Sequence, residues 1–478
     1  MAGPLAVPTG AISGTVVDRY RYPGRNGALS QKTTSFTLGT GTSSFRSSYG
    51  YDVVGNLSEV SYPRCLGWPC LDDDPARTVT MQYERGAWLR SVPGFATRID
   101  YQLGGQQTHR VEHANGVTWT QTFDPDDRFP RPDTIATTAG FATGEYVYDG
   151  IGNIQSIGAQ SFVYDRLNRL TRGETPVGGG EQVQEASYDA YGNLIALVTN
   201  GIARSLAPSA STNRLTGAGV AYDAAGSLTD IVIGGRAFRY GRNALSEVET
   251  FQSSTISQIH FYDAAGDRLF TFQCPGTVCG DDASLETFTL RGPDGKILRT
   301  YSGDALATRA WAEDHVYRGA TLLANVRPDG GGPVRHVHVD HLGSTRQVTN
   351  AAGVEISRHA FHPFGDEATV VASSDLELKF TGHERDRNDG GVSTLDYLHA
   401  RYTSPMLGRF LAVDPISGNP GTPQSWNRYA YTLNNPMRFV DPLGLSPVAT
   451  IDGGEITVCG NCGQGGWTPP NWLIDNFL

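Results

Sequence analysis

The sequence predicts an all-β chain of β-hairpins joined edge to edge into one long sheet. Three observations predict it. A short phrase (Tyr-Asp, two residues, Gly, a polar residue, then Leu or Ile) recurs as YDVVGNL at Tyr51–Leu57, YDGIGNI at Tyr148–Ile154, YDAYGNL at Tyr188–Leu194, YDAAGSL at Tyr222–Leu228 and YDAAGDRL at Tyr262–Leu269. Looser copies stand at Tyr164–Leu170, Phe123–Arg128 and Tyr240–Leu245, and from Tyr148 the copies start 16, 24, 34, 18 and 22 residues apart, the self-similarity of a repeat architecture. The chain also holds 58 Gly, 21 Tyr and 19 Phe against 4 Met, and no segment keeps helical apolar spacing over several turns.

Each phrase has a physical reading. Asp suits the first position of a type I turn, and Gly the fourth, where a positive φ is often required. Asp52–Gly55, Asp149–Gly152, Asp189–Gly192 and Asp223–Gly226 fit that template. Alternating runs such as Gln160–Tyr164 before a turn and Leu194–Val198 after one complete the hairpins. One such hairpin is marginal alone, so the units must pair edge to edge. The repeated tyrosines are expected either to stack as a ladder on one face or simply to join the core.

In order along the chain, residues 1–44 read as a β-rich start with no domain before the repeats, which leaves a truncated gene open. Residues 45–335 read as the repeat shell, 336–445 as a denser, motif-rich domain, and 446–478 as a short variable tail. A helix is expected, if anywhere, in the last sixth.

Net charge is −11 and the Lys and Arg residues are scattered, which argues against a nucleic-acid surface. No stretch approaches the roughly 18 apolar residues of a membrane span. The opening MAGPLAVPTGAISG lacks the basic start of a secretory signal. The chain therefore reads as cytoplasmic, or as exported by a route without a cleaved signal. Six cysteines fall into close pairs, Cys65/Cys70, Cys274/Cys279 and Cys459/Cys462, which suits local disulfides in an oxidising compartment better than zinc, whose repeated ligand spacing is missing. His336 and His338 alternate on one strand beside Asp340 and His341. That spacing could ligate a metal, but polar residues on a strand and its turn are the better reading. No metal or cofactor is expected.

From residue 336 the text becomes dense: HVHVDHLGSTRQVTN, HPFGDE, HERD, LDY, ARY, GRFLAVDP, NRYAYTLNNP and DPLGL follow one another. In these phrases and in the YD repeats the chain resembles the Rhs family, whose repeat shell also occurs in toxin-complex C subunits and teneurins. The resemblance implies that the long sheet spirals into a partial hollow shell, that an Rhs-associated core domain closes one end of it and that the shell encloses a C-terminal toxin or cargo. It also implies that an aspartic self-protease cuts after DPxGL. Two departures, ISGNPGTPQSW between the aspartates and NDGGVST before Leu395, read as loop insertions.

Carried over residue by residue, the resemblance places the catalytic pair at Asp414 and Asp441 and the cleavage site at Leu445–Ser446. Arg409 is expected to support a carboxylate. Two carboxylates sharing one proton are pushed apart in pKa, so one acts as base while the other donates. Asp-Pro is also an ordinary turn starter, and it occurs at Asp74 and Asp124 as well.

The tail carries Asp452, Glu455 and Asp475 and no Lys or Arg, which suits neither a nuclease nor a basic pore-former. It reads as a remnant or inert cargo. The expected function is thus a self-cleaving toxin carrier used in interbacterial competition or toxin delivery. Its partners would be its own tail or cargo, a secretion-system delivery protein or another shell subunit. A non-catalytic shell or adhesion module that binds a partner or a glycan stays open, as does a degenerate orphan fragment.

Overall fold

The computed structural model describes residues 14–451 and 454–456, apart from 24–26, 40, 67–74, 103–106, 125–130, 277–284, 305–308, 329–333, 370–375, 389–392 and 417. The chain is all-β: every ladder is antiparallel, and in the large sheets each strand pairs with its neighbours in sequence. The ladder comes in stretches. A five-stranded sheet runs from Gly14–Arg21 to Thr78–Thr80, and a two-stranded one joins Gln82–Glu84 to Trp88–Ser91. A four-stranded sheet spans Ala96–Tyr101 to Pro132–Thr137, a seven-stranded sheet Tyr146–Tyr148 to Ile202–Ser205, and a thirteen-stranded sheet Ala221–Tyr222 to Glu355–Arg358. The last of these carries the histidine strand Val334–Val339. Beyond it a four-stranded sheet (Glu384–Asn388 to Arg409–Phe410) and a three-stranded one (Phe439–Val440, Val448–Ile451, Gly454–Ile456) complete the fold. The helix expected in the last sixth is absent among the described residues. In its place are two 3-10 turns, Pro423–Trp426 and Tyr431–Asn434, the second bent by left-handed backbone.

The repeated phrase is an aspartate-built turn. Asp149 Oδ1 accepts from the backbone N–H of Ile151 and Asn153 at 3.0 and 2.8 Å, and Oδ2 from Asn153 Nδ2 at 2.8 Å. Asp52 and Asp189 repeat the pattern on Asn56 and Asn193. Gly152 and Gly192 close these turns at φ 89° and 75°, which a side chain would resist. The tyrosines do not stack on one another as a continuous ladder. Each of four reaches back to the strand before it: Tyr148 OH donates to Pro132 O, Tyr164 to Ile154 O, Tyr188 to Leu170 O and Tyr262 to Val248 O, at 2.6 to 2.8 Å. A half-buried ring keeps its hydroxyl near a backbone carbonyl this way, so the phrase welds each hairpin to the last.

One apolar core runs from Tyr49 to Val448 and mixes repeat residues (Ile154, Leu194, Leu228) with Phe364, Tyr397, Phe410 and Tyr431 of the motif-rich domain. A second, aromatic cluster pins the first sheet to the thirteen-stranded one, with Phe36 and Phe270 centred 4.8 Å apart. Cys65 and Cys274 are disulfide-bonded; their expected partners, Cys70 and Cys279, and the pair Cys459/Cys462 lie outside the described residues.

Within the motif-rich domain Glu367 accepts from His359 Nδ1 at 2.8 Å and from the fully buried Lys379 Nζ at 2.5 Å. Burial pushes the Glu367 carboxyl up, but these two partners outweigh it and hold it at about 2. The folded value lies below the unfolded one, so the stabilisation is complete above about pH 4.5 and is lost as pH falls toward 2. A shift of this size corresponds to about 3 kcal/mol. Urea midpoints at pH 3 and pH 7 should differ by less in Glu367→Gln than in the parent.

Candidate functional site

Asp414 and Asp441, 27 residues apart in sequence, meet around one guanidinium. Arg401, on the strand Arg401–Ser404, places Nη2 2.8 Å from Asp414 Oδ2 and 3.3 Å from Asp441 Oδ2. Its Nε donates to Gly444 O and its Nη1 to Arg428 O, and its plane lies 3.6 Å over the Phe410 ring. One arginine thus ties both carboxylates to the loop that follows Asp441.

That loop is a variant of the repeat turn. Asp441 Oδ1 accepts from the backbone N–H of Leu445 at 2.8 Å and of Ser446 at 3.0 Å. The second is the amide nitrogen of the expected cleavage bond. Gly444 adopts φ 69°, and a Cβ there would come within 2.5 Å of Leu398 O. DPLGL therefore needs its glycine both for the turn and for the close approach to the neighbouring strand.

The two carboxylates have different surroundings. The Asp441 side chain is 2% exposed and the Asp414 side chain 17%, so water reaches the pair from the Asp414 side. Burial pushes the Asp414 carboxyl up to about 6, with the charge of Asp441 adding to the rise, against lowering by Arg401 and by the Ile416 N–H. One member of the pair can therefore hold a proton close to neutral pH while the other accepts hydrogen bonds from the Leu445 and Ser446 amides.

Arg409 is not the supporting arginine. It belongs to the short strand Arg409–Phe410, and its side chain turns toward the repeats. There Nη2 donates to Asn213 O at 2.7 Å and the guanidinium covers the Tyr429 ring at 4.8 Å. Arg401 takes that place. Its signal in the sequence is the ARY phrase, thirteen residues before Asp414.

The histidines form no such centre. His338 Nε2 pairs with Thr349 Oγ1 at 2.9 Å, His341 bridges Tyr146 OH and Met437 O, and His336 meets His113 ring to ring. Burial holds His336 at about 4 and His338 at about 3. Asp340 builds a turn with Leu342 and Ser344 and pairs with Arg346. Among the described residues no group of three His, Cys, Asp or Glu side chains is placed to hold a metal ion, and no helix is long and apolar enough to cross a membrane.

The segment between the two aspartates lies along the row of repeat turns. Asn427 Nδ2 donates to Asn193 Oδ1 at 3.0 Å, Asn434 Nδ2 to Gly192 O at 2.9 Å and Asn435 Nδ2 to Asn153 Oδ1 at 2.8 Å. Tyr429 OH donates to Gly226 O at 2.6 Å, and Gln424 Nε2 to Leu167 O. The phrases YDxxGN and NRYAYTLNNP, about 240 to 280 residues apart in sequence, are two halves of one contact.

No family model matches the chain. It is similar to the double-stranded DNA deaminase toxin A of Burkholderia cenocepacia, 28% identical over 345 residues, which cover 66% of this chain and 23% of that one. It is also similar to the toxin subunit YenC1 of Yersinia entomophaga, 22% identical over 476 residues, covering 83% and 46%. The chain spans less than half the length of these curated relatives. Among solved structures, a TccC3 variant of the Photorhabdus luminescens Tc holotoxin pore superposes with a TM-score of 0.71 at 17% identity, over 92% of this chain and 24% of that one, a likeness of fold. With its YD turns and the ordered phrases from DHLGSTR to DPLGL, the chain is similar to the Rhs and toxin-complex proteins among these relatives.

Proposed function

We propose that this protein is a toxin carrier that cuts its own chain between Leu445 and Ser446, releasing the C-terminal segment from its covalent tie to the repeats. The observation that carries the reading is the single guanidinium of Arg401 shared by Asp414 and Asp441, with Asp441 hydrogen-bonded to the Ser446 amide nitrogen. Relatives named as a deaminase toxin and as a toxin subunit support the carrier role. Delivery outside the producing cell, with another shell subunit or a secretion-system protein as partner, and use against competing bacteria follow from the same likeness.

The chemistry is a hydrolysis. Water entering from the Asp414 side attacks the Leu445 carbonyl carbon and gives a proton to Asp441. Asp414 in its protonated form donates toward the developing oxyanion, and Arg401 offsets the negative charge. Asp441 then passes its proton to the Ser446 nitrogen, 3.0 Å away, and the C–N bond breaks. The products are a carboxylate on Leu445 and an amine on Ser446.

The test is the intact mass of freshly made chain under denaturing conditions. Two masses that meet at Leu445–Ser446 are expected; one full-length mass would leave a non-catalytic shell. The pH dependence has a defined sign. Asp414 must carry its proton, and its pKa is raised to about 6, so cleavage should slow as pH rises through about 6. Chain pulse-labelled in cell-free translation and chased at fixed pH between 5 and 8 measures this, and a rate that climbs steadily with pH over that range would exclude Asp414 as the acid.

A further inference from the structure

Hydrogen bonds from the repeat turns lead directly to both aspartates. On one side Asn193 holds Asn427; the next residue, Arg428, accepts the Asp414 N–H on its carbonyl at 2.9 Å and returns Nε to Asp414 O at 2.7 Å. On the other side Asn153 holds Asn435, whose carbonyl accepts the N–H of Arg438 and of Phe439 at 3.2 Å, two residues before Asp441. Asn153 and Asn193 are themselves oriented by the turn aspartates Asp149 and Asp189 and are wholly buried.

Between the two anchors the chain is forced. Thr432, Leu433 and Asn434 run consecutively at φ 47°, 57° and 62°, a left-handed path that side-chain-bearing residues keep only where their surroundings impose it. Thr432, Asn434 and Asn435 are buried, the last two on Gly192 and Asn153 of the repeats. Asn434 accepts such a conformation readily, but Thr432 and the γ-branched Leu433 do not, so the path of those two needs support from outside the segment.

We propose that Asn153 and Asn193 of the repeats, with Asn427 and Asn435, are positioning residues for the cut: the folded turn row shapes residues 427–435 and so brings Asp414 and Asp441 together on Arg401. This rests on the cleavage reading above and adds a condition to it. The chain is competent to cut itself only when the hairpins carrying Tyr148–Ile154 and Tyr188–Leu194 are already in place. A cargo segment is then released only inside a shell that has formed. Each YD turn facing the segment has a second task beyond reversing the chain: it presents an amide to be read.

The experiment uses the full chain, pulse-labelled in cell-free translation, with the fraction cut at residue 445 read by denaturing mass spectrometry across pH 5 to 8. The double variant Asn427→Ala/Asn435→Ala should be cut at least tenfold more slowly than the parent. Asn115→Ala removes amide bonds of the same kind, to Thr349 Oγ1 at 2.9 Å and to Asn350 O at 2.8 Å, far from the segment, and should be cut at the parent rate. The double variant should also shift the alkaline limb of the pH profile downward, because a loosened Asp414 gains water and moves away from the charge of Asp441, and burial, the largest cause of its raised pKa, outweighs the opposing pull of Arg401 and Arg428; a general loss of stability would not move that limb. If the double variant does not fold, the two single variants carry the same comparison, each slowed at least threefold. Folded variants cut at the parent rate would overturn the proposal, as would equal slowing in Asn115→Ala. A parent chain that stays whole would fail the cleavage reading itself and take this inference with it.

Discussion

Asp441→Asn should leave the chain folded and uncut. The amide oxygen of Asn can still accept the Leu445 and Ser446 N–H groups that Asp441 Oδ1 accepts now, so the turn survives. What disappears is the capacity to take a proton from water and return it to the Ser446 nitrogen. Loss of a positioned general base slows a reaction by roughly 10²–10⁴-fold, enough for the two-mass pattern of the parent to collapse to one. Asp414→Asn should give the same mass result for a different reason, since it removes the proton donor. That variant should cost little stability, because burial already penalises the charged carboxylate and an amide of the same shape avoids that penalty while still accepting the Ile416 N–H. Thermal melts beside the mass measurement separate chemistry from folding. Variants that melt like the parent and are cut like the parent would show that these aspartates are not the pair.

The largest stability loss is expected at Glu384. It sits where the motif-rich domain meets the thirteen-stranded sheet, its Oε2 3.1 Å from Arg268 Nη2 and its Oε1 on Arg291 Nη2, with all three side chains at most 8% exposed. Asp386 takes the other face of Arg268 at 2.6 Å, and Tyr397 packs against both guanidinium groups. Glu384→Gln removes the charge bonded to both arginines, leaving Asp386 on Arg268 and only the more distant charge of Asp267 beside the buried Arg291. Removing one partner from a buried ionic cluster costs about 3–5 kcal/mol, because the uncompensated charge stays behind. The expected result is a clear drop in urea midpoint with an unchanged slope. A loss under about 1 kcal/mol, the range of exposed pairs, would mean that water reaches the cluster. Because Glu384 does not touch Asp414, Asp441 or Arg401, cleavage in the surviving folded fraction should run at the parent rate.

How much of this could be read from the residues follows the range of the interactions. The YD turn was legible because it is local: Asp149, Gly152 and Asn153 satisfy one another within five residues, and composition reports that directly. The pairing of Asp414 with Asp441 came from the family likeness of GRFLAVDP and DPLGL, since no spacing rule brings two aspartates together across a loop. Arg409 was the expected support because it stands close to Asp414 in sequence, but adjacency says nothing about which side of a two-residue strand a long side chain leaves from; Arg409 faces Asn213 and Tyr429. The expected helix near the end gave way to left-handed turns because Thr432, Leu433 and Asn434 are shaped by partners more than 200 residues away, and a local pattern carries no trace of such partners. Of the two expectations for the tyrosines, a ladder or the core, they pack against the core, but their hydroxyl-to-carbonyl bonds to the preceding strand depend on a register that only the folded ladder defines.

The strict neighbour-to-neighbour pairing of the thirteen-stranded sheet has a consequence for how the protein is made. A ladder in which each strand needs only the one before it can be laid down as the polypeptide leaves the ribosome, because no loop closure over long distance is required to add the next hairpin. The strands from Ala221 to Arg358 can thus be standing before Asp414 has been translated, and Asp441 to Ser446 emerge about thirty residues later still. If the proposed cut takes place, vectorial synthesis sets its order: the scaffold stands before the two aspartates reach it.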